Sequence, residues 1–276
     1  MKLYAISDLH LMRQANRAAL LNLAPHPRDW LIVAGDVSES IEQFTAAMTL
    51  LAERFARVIW TPGNHDLWTL PNDPTGLRGL ARYNRLVAIC RELGVSTPDD
   101  PYLQWDGPGA PAVVAPIFTL YDYSFRPDEV AEETAVAWAQ ASGVLCVDEL
   151  ALHPDPFPSR AVWCTVRCRY TEKRLEEAAA HGPLILANHY PLRRDMAHLR
   201  RIPRFSIWCG TRRTEDWHTR FPVTAVVYGH LHIRRSHQRD GVQFDEVSLG
   251  YPGQWQPARG IEPYLRQILP RPSAPA

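Results

Sequence analysis

The most constraining feature of the sequence is a set of apolar runs, each of which ends directly in a short cluster of metal-type donors. One run, residues 57–60, leads into Thr-Pro-Gly-Asn-His-Asp at residues 61–66. Pro and Gly favour a sharp turn there, which presents an amide, an imidazole and a carboxylate in consecutive positions. Four further runs end in the same way, with the donors Asp8 and His10, Asp36, His189, and His230 and His232.

Apolar strands and amphipathic helices alternate at the start of the chain. Near-continuous apolar strands predict a parallel-centred sheet with both faces covered, which is an α/β fold. Ser38 is predicted to cap the second helix, because its hydroxyl can accept a hydrogen bond from a free N–H at the helix start. The predicted strands are residues 2–7, 30–34, 57–60, 112–118, 183–187, 223–228 and 242–249, and the predicted helices are residues 13–23, 38–55, 78–93, 127–141 and 159–180.

The strand–helix alternation is blurred by Pro-rich segments at about residues 67–182. This region is predicted to be an insertion that builds one wall of a pocket. The chain is therefore interpreted as a single domain at residues 1–269 with this insertion. Residues 270–276, Pro-Arg-Pro-Ser-Ala-Pro-Ala, are predicted to form a disordered tail.

Composition excludes several classes of protein. With 46% apolar and 22% charged residues, the chain is typical of a globular protein. No window reaches the roughly 18 uninterrupted apolar residues of a membrane span, and the chain opens with a strand pattern, not a secretory leader. Five cysteines without a Cys-x-x-Cys pair favour reduced thiols. A cytoplasmic protein without a membrane partner is expected.

The zero net charge conceals an asymmetry along the chain. Residues 1–159 carry 11 Lys and Arg against 20 Asp and Glu, whereas residues 160–240 carry 16 against 7. The two halves either pair with each other, or the basic half lines a cleft with positive potential. A DNA nuclease is disfavoured, because contacts to the phosphate backbone would favour a net basic chain.

The strand-end clusters are predicted to form one site. Parallel sheets bind ligands beyond the carboxyl ends of their strands, so these donors should meet at one rim. Asp-x-His and His-x-His place two side chains on the same side of an extended backbone. Gly35, Gly63 and Gly229 allow turns tight enough to face the next donor over the sheet. A set of His, carboxylate and amide without thiolate suits a catalytic pair of Mn, Fe or Zn ions better than a structural zinc site.

In order and composition these clusters resemble the signature of the calcineurin-like metallophosphoesterases. The resemblance implies a four-layer αββα sandwich of two mixed sheets flanked by helices, with a dinuclear metal site at the C-terminal rim of the strands. It implies that Asp36 bridges the ions, since a carboxylate has two oxygens. By position, one ion would be held by Asp8, His10, Asp36 and His232, and the other by Asp36, Asn64, His189 and His230.

The implied activity is hydrolysis of a phosphomonoester or phosphodiester by a hydroxide that bridges two divalent ions, with Mn favoured over Fe or Zn. His65 is expected to assist the leaving group, and Asp66 is expected to hold the imidazole of His65 in position. The intact ligand set favours an enzyme over a protein-interaction scaffold on the same fold, which is the non-enzyme alternative.

Substrate choice is assigned to the arginine-rich segment that follows His189. Its arginines either grip an anionic substrate or pair with the acidic first half. This segment, with Trp-Cys-Gly-Thr at residues 208–211, is similar to an actinobacterial branch that includes a hydrolase removing phosphopantetheine from acyl carrier proteins. An acidic carrier protein is therefore a candidate partner. A cyclic-nucleotide or nucleotide phosphodiesterase fits the metal signature equally well, and the oligomeric state stays undetermined. The candidate substrate residues are Arg193, Arg194, Arg212 and Arg213.

Overall fold

Ten strands form two mixed sheets within residues 1–271, which are the residues that the structure, a computed structural model, describes. Their predicted positions are confirmed to within a few residues, and three short edge strands were not predicted. The strands are β1 Leu3–Ile6, β2 His26–Val33, β3 Phe55–Trp60, β4 Leu103–Trp105, β5 Ala112–Pro116, β6 Leu184–Ala187, β7 Val223–Tyr228, β8 Ser236–Arg239, β9 Val242–Glu246 and β10 Arg266–Leu269.

Both sheets have a parallel centre; the first has one antiparallel edge strand and the second has two. The first sheet has the order β10-β1-β2-β3, in which β1, β2 and β3 are parallel and β10 is antiparallel to β1. The second has the order β4-β5-β6-β7-β9-β8, in which the four central strands are parallel. Parallel central strands place several strand ends at one rim, as the sequence predicted.

The two sheets pack face to face. Alternate residues of the strands form a buried apolar layer that draws on both sheets, for example Ile32 from β2 and Ile185 from β6. The opposite faces pack against helices, through Phe44 on one side and Trp163 on the other. The predicted four-layer αββα sandwich is thereby confirmed. The helices are α1 Gln14–Leu21, α2 Ile41–Arg54, α3 Asn64–Leu67, α4 Gly79–Glu92, α5 Ala135–Gln140, α6 Asp148–Ala151, α7 Arg160–Ala179 and α8 Trp217–Arg220.

Helix α2 begins later than predicted. Its N-cap is Ser40, whose Oγ accepts a hydrogen bond from the backbone N–H of Gln43 at 3.3 Å. The prediction that Ser38 caps this helix is wrong, because the Oγ of Ser38 accepts the N–H of Ser40, which precedes the helix, at 3.2 Å. The backbone N–H of Ser38 donates to the carboxylate of Asp66 at 3.1 Å. The residues before the helix therefore form a loop that surrounds the buried carboxylate of Asp66.

The region predicted as an insertion is not separate from the sandwich. Within residues 67–182, β5 lies inside the second sheet and pairs in parallel with β6. Part of the segment predicted as an insertion therefore belongs to a central sheet, because an apolar strand flanked by Pro-rich loops can still pair with its neighbours. From residue 272 onwards, the predicted disordered tail lies outside the described residues. Among residues 1–271, no helix is both long enough and apolar enough to cross a membrane.

Replacement of the helix cap tests the assigned start of α2. Ser40→Ala is expected to lower the free energy of unfolding by about 1 kcal/mol, because the N–H of Gln43 loses its acceptor. Ser40→Asp keeps an acceptor and should retain nearly the full stability. Urea denaturation of the three proteins measures both effects. Equal stability of Ser40→Ala and the wild type would contradict the cap assignment.

Candidate metal centre

Backbone hydrogen bonds tie the strand-end loops together at one rim. The N–H of Asp8 donates to the carbonyl of Gly35 at 2.9 Å, which joins the loops after β1 and β2. Across the two sheets, the N–H of Gly250 donates to the carbonyl of Asp8 at 3.0 Å. The N–H of Gly229 donates to the carbonyl of His189 at 2.9 Å, which joins the loops after β6 and β7. The predicted donors are held by main-chain contacts.

Most of the predicted ligands have left-handed backbone conformations. This region is unfavourable for residues with a Cβ atom, and such strain concentrates at functional sites. The surrounding hydrogen bonds over-determine these conformations. The residues are Asp8 (φ 55°), His10 (φ 43°), Asp36 (φ 55°), His230 (φ 71°) and His232 (φ 54°).

Two motif glycines permit close packing of the loops. A Cβ atom at Gly63 would lie 2.0 Å from the Oδ1 of Asp36, and one at Gly229 would lie 2.3 Å from the Oδ2 of Asp8. Neither glycine has a positive φ. These two glycines therefore allow the backbone to lie close to the carboxylates of Asp36 and Asp8. A tight turn with positive φ, which was predicted for all three motif glycines, is found at Gly35 alone (φ 88°).

One group of donors consists of Asp8, His10 and His232. The Nε2 of His232 lies 2.9 Å from the Oδ1 of Asp8 and 3.1 Å from the Nε2 of His10. The other oxygen of Asp8, Oδ2, accepts hydrogen bonds from the hydroxyls of Ser7 and Ser248 at 2.6 and 2.7 Å. These two serines orient the carboxylate so that Oδ1 faces the imidazoles.

A second group consists of Asn64, His189 and His230. The Oδ1 of Asn64 lies 3.1 Å from the Nε2 of His189 and 3.2 Å from the Nδ1 of His230. The Nδ1 of His189 donates to the carbonyl of Ala34 at 2.8 Å, which directs its Nε2 into the site. The Nε2 of His230 is buried without a partner among the described residues.

Asp36 lies between the two groups. Its Oδ2 is 4.0 Å from the Nε2 of His10 and 3.5 Å from the Nε2 of His189. Its Oδ1 accepts the backbone N–H of His65 at 2.8 Å. Oδ2 therefore faces both groups, whereas Oδ1 is engaged by the first turn of α3. The bridging role of Asp36 stays a prediction.

The charges of the site favour the binding of cations. Burial raises the pKa of Asp36 well above its usual value, and the nearby Asp8 carboxylate raises it further. Burial lowers the pKa of His189 to about 4, so its imidazole is neutral and able to bind a metal at neutral pH. Within residues 1–271, no Lys or Arg forms an ion pair with Asp8 or Asp36. The two buried acids thus lack a fixed positive partner.

The donor spacing fits divalent cations. Two ligands bound at about 2.1 Å and at right angles lie about 3 Å apart. The donor pairs of both groups are separated by 2.9 to 3.2 Å. Three sets of acidic and imidazole donors converge closely enough to hold an ion. Each of the seven predicted ligands belongs to one of these sets or to the second group described above, which consists of Asn64, His189 and His230. The sets are Asp8, His10 and His232; His10, Asp36 and His65; and Asp8, Asp36 and His189.

Glu39, not Asp66, holds the imidazole of His65. The Oε1 of Glu39 accepts from the Nδ1 of His65 at 2.6 Å, and the indole of Trp68 stacks on the same ring with 3.7 Å between centroids. The expectation that Asp66 positions His65 is wrong. The carboxylate of Asp66 instead accepts hydrogen bonds of 2.8 to 3.1 Å from backbone N–H groups in the loops after β2 and β3. The donors are Asp36, Val37, Ser38 and Gly63.

Two residues of the site were missed in the sequence. Glu39 follows the Gly35-Asp36 motif closely, but its position before a helix favoured interpretation as a first-turn acid. Asp148 carries no local signal, since it lies in the region predicted as an insertion. Its buried Oδ1 accepts from the Nδ2 of Asn64 at 2.9 Å and from the Nε1 of Trp68 at 2.6 Å. Asp148 therefore fixes the amide orientation that points the oxygen of Asn64 into the site.

Within residues 1–271, none of the four predicted substrate arginines forms an ion pair or a side-chain hydrogen bond with a predicted metal ligand. Arg193 pairs with Asp195 at 2.9 Å and Arg212 with Asp128 at 2.6 Å, and Arg213 lies 3.5 Å from Asp122. The side chain of Arg194 has no partner among the described residues. For Arg212 and Arg213 the structure shows the alternative considered above, in which arginines pair with the acidic first half. None of the predicted metal ligands lines the cavities beside these arginines.

The fold and the donor groups define a phosphoesterase of the calcineurin-like class, and comparison with known proteins agrees. The family model described as calcineurin-like phosphoesterase matches residues 1–234, so the chain belongs to this family. It is an enzyme that hydrolyses phosphoric esters. The family resemblance seen in the sequence is confirmed.

Among individual relatives, the acyl-carrier-protein phosphodiesterase PptH of Mycobacterium tuberculosis (strain ATCC 25618 / H37Rv) is 47% identical over 274 residues. The aligned residues cover 98% of this chain and 84% of the relative. The crystal structure of phosphopantetheinyl hydrolase PptH from the same organism aligns with a TM-score of 0.94 and 46% identity, over 100% of this chain and 98% of that chain. A putative 5'-nucleotidase of Staphylococcus aureus aligns with a TM-score of only 0.43 and 11% identity, over 88% of this chain and 48% of that chain, and supports no inference.

Removal of the Asp148 carboxylate tests its contact with Asn64. Asp148→Ala is expected to weaken one of two Mn²⁺ binding steps about 10- to 100-fold, because the amide of Asn64 loses the partner that orients its oxygen. Isothermal titration calorimetry with Mn²⁺ measures this change. Asp122→Ala removes a buried acid that accepts from Thr211 at 2.8 Å and serves as the control. Equal metal affinities in the two variants would contradict the assignment.

Proposed function

We propose that this protein hydrolyses the phosphodiester that links phosphopantetheine to an acyl carrier protein. The observation that carries the proposal is 47% identity across nearly the whole chain to a relative named for this activity. The donor groups of the candidate metal centre are complete, which supports a catalytic protein over a scaffold. The free cysteines support a reducing, cytoplasmic location.

Two divalent cations, with Mn²⁺ favoured, would activate a water molecule and neutralise the phosphoryl oxygens. Asp36, whose Oδ2 faces both donor groups, would help to hold both cations. The first cation would have the additional ligands Asp8, His10 and His232, and the second would have Asn64, His189 and His230. The imidazoles suit Mn, Fe and Zn alike.

His65 is proposed to protonate the departing oxygen. Its Nε2 lies 3.9 Å from the Oδ2 of Asp36, at the centre of the donor groups. Because its Nδ1 donates to Glu39, Nε2 is the nitrogen that faces the substrate. Although burial of Glu39 opposes ionisation, the hydrogen bond from His65 holds the pKa of Glu39 below its usual value. The ionised Glu39 would therefore hold the imidazole in place for proton transfer from Nε2.

An acidic carrier protein would meet exposed arginines beside this centre. Arg200 and Arg235 line one cavity together with Ile233, which follows His232 in the chain. Neither arginine forms an ion pair or a side-chain hydrogen bond within residues 1–271. We call Arg200, Ile233 and Arg235 the cationic surface. Unpaired arginines around an exposed apolar side chain suit a small acidic protein, because charge steers its approach and apolar contact holds it.

The direct test uses holo acyl carrier protein and enzyme loaded with Mn²⁺. Intact-protein mass spectrometry should show loss of the phosphopantetheinyl group from the carrier. p-Nitrophenyl phosphate, its bis ester and a cyclic nucleotide serve as comparison substrates. Turnover of these esters without any change in the holo carrier would refute the carrier-protein assignment and leave the phosphoesterase class intact.

The role of His65 predicts a separation of metal binding from turnover. His65→Ala should retain both metal ions and lower kcat for the holo carrier about 100-fold or more, because the departing serine alkoxide loses its acid. The p-nitrophenyl bis ester should be affected much less, because p-nitrophenolate leaves without protonation. Metal content by elemental analysis and steady-state kinetics measure the two properties. Loss of an ion would instead identify His65 as a ligand, and an unchanged kcat would exclude it from catalysis.

Charge reversal at the cationic surface should affect the protein substrate alone. Arg200→Glu combined with Arg235→Glu is expected to raise KM for holo carrier at least about tenfold through repulsion. KM for p-nitrophenyl phosphate should not change, because this substrate does not reach the surface. The control, Arg28→Glu with Arg57→Glu, alters the charge by the same amount in the first sheet. Equal effects of the two pairs would assign the change to net charge and contradict a docking role.

A further inference from the structure

A cavity of about 700 Å³ is lined by Glu39. The carboxylate of Glu39 also contacts the imidazole of His65 at 2.6 Å, so this residue links the cavity to the candidate metal centre. Met12 and Ile41 form one wall, and the loop at residues 70–75 forms the other. We call this space the Glu39 cavity.

The lining of the Glu39 cavity is aliphatic. Its apolar side chains are Met12, Ile41, Leu70, Pro71 and Pro74. Its volume lies within the range of about 300 to 1,000 Å³ that is typical of sites for small organic groups. No aromatic side chain of the described residues lines it, so a nucleobase would find no ring on which to stack. An aliphatic occupant is favoured.

The charges of the cavity are of one sign. Its charged lining residues, Glu39, Glu42 and Asp73, are all acidic. Asp73 is paired with Arg82, so Glu39 and Glu42 are the residues that would repel a group carrying a second phosphate, whereas a neutral group would not be repelled. The outer loop is held in place, since the buried guanidinium of Arg82 pairs with Asp73 and donates to the carbonyl of Glu39. The cavity is therefore preformed.

We propose that the Glu39 cavity binds the pantetheine arm of the phosphodiester substrate. This inference rests on the function proposed above and adds the site of the arm. Pantetheine is a neutral aliphatic chain with two amide groups and a terminal thiol, and Ser40, Asn72 and Thr75 offer polar partners for the amides. The acidic cavity and the cationic surface then receive the two sides of the phosphodiester, the neutral arm and the acidic protein.

A charge placed in the aliphatic wall tests the site by kinetics. Leu70→Asp should raise KM for holo carrier about tenfold, because the arm would contact a carboxylate. The kinetics with p-nitrophenyl phosphate should be unchanged, since this monoester has no arm. Leu21→Asp, at an exposed apolar residue of α1, is the matched control. An unchanged KM for holo carrier, or a change confined to a cyclic nucleotide, would overturn the proposal.

A second measurement does not depend on catalysis. The thiol introduced by Pro74→Cys attacks the disulfide of pantetheine 2-thiopyridyl disulfide, so that pantetheine is bound as a mixed disulfide and 2-thiopyridone is released. Labelling should saturate with reagent concentration and exceed, about tenfold, the labelling of Leu21→Cys. Hydroxyethyl 2-thiopyridyl disulfide, which lacks the arm, should label both variants alike. The wild-type protein gives the background from native cysteines.

The two measurements separate the failure of the cavity proposal from the failure of the proposed function. Saturable labelling at position 74 supports the arm site even if the wild-type enzyme does not hydrolyse holo carrier. Labelling without saturation, at the same rate with both reagents, overturns the arm site even if holo carrier is hydrolysed. Thermal unfolding of each variant verifies that the fold is retained.

Discussion

The carboxylate of Asp66 accepts four backbone N–H groups, and the arrangement of the metal centre depends on this interaction. Three of these groups belong to the loop that carries Asp36, and the fourth is that of Gly63, directly before Asn64. One buried acid thereby locks the loops after β2 and β3 to each other. Burial raises its pKa to about 6, whereas the four N–H groups favour the ionised form. Asp36, a predicted metal ligand, can keep its left-handed backbone conformation because this network holds its loop.

Acidic residues line a cavity on one side of the candidate metal centre, and arginines line a cavity on another side. The two groups of a bulky diester could therefore bind in different surroundings. Glu39, which contacts His65, lines an aliphatic cavity whose charged residues are acidic. Near His232, Arg200 and Arg235 line a cavity with Ile233 and have no ion-pair partner within residues 1–271. Internal ion pairs such as Arg212 with Asp128 thus neutralise only part of the charge difference between the acidic first half and the basic second half. The remaining arginines supply the potential that an acidic protein would meet.

Much of the fold and of the donor set could be predicted from the sequence, because both follow from local patterns. Apolar runs that end in Asp, His or Asn define strand ends, and parallel strands gather such ends at one rim. Contacts between segments that are far apart along the chain leave no such pattern in the sequence. Asn64 and Asp148 are 84 residues apart, and the partner of His65 proved to be Glu39 and not the adjacent Asp66. The role of β5 as an inner strand was also hidden, because Pro-rich flanks favoured interpretation as an insertion.

The sequence by itself determined the α/β class, the succession of strand-end donors and the choice of seven side chains able to bind metal. These properties depend on residue type and on spacing along the chain. Only the tertiary structure decided which oxygen of Asp36 faces both donor groups, which acid orients His65 and which arginines remain unpaired. Each of these depends on how loops from different parts of the chain pack. Such packing is fixed by close backbone approach and by competition for hydrogen bonds, which a linear pattern does not record.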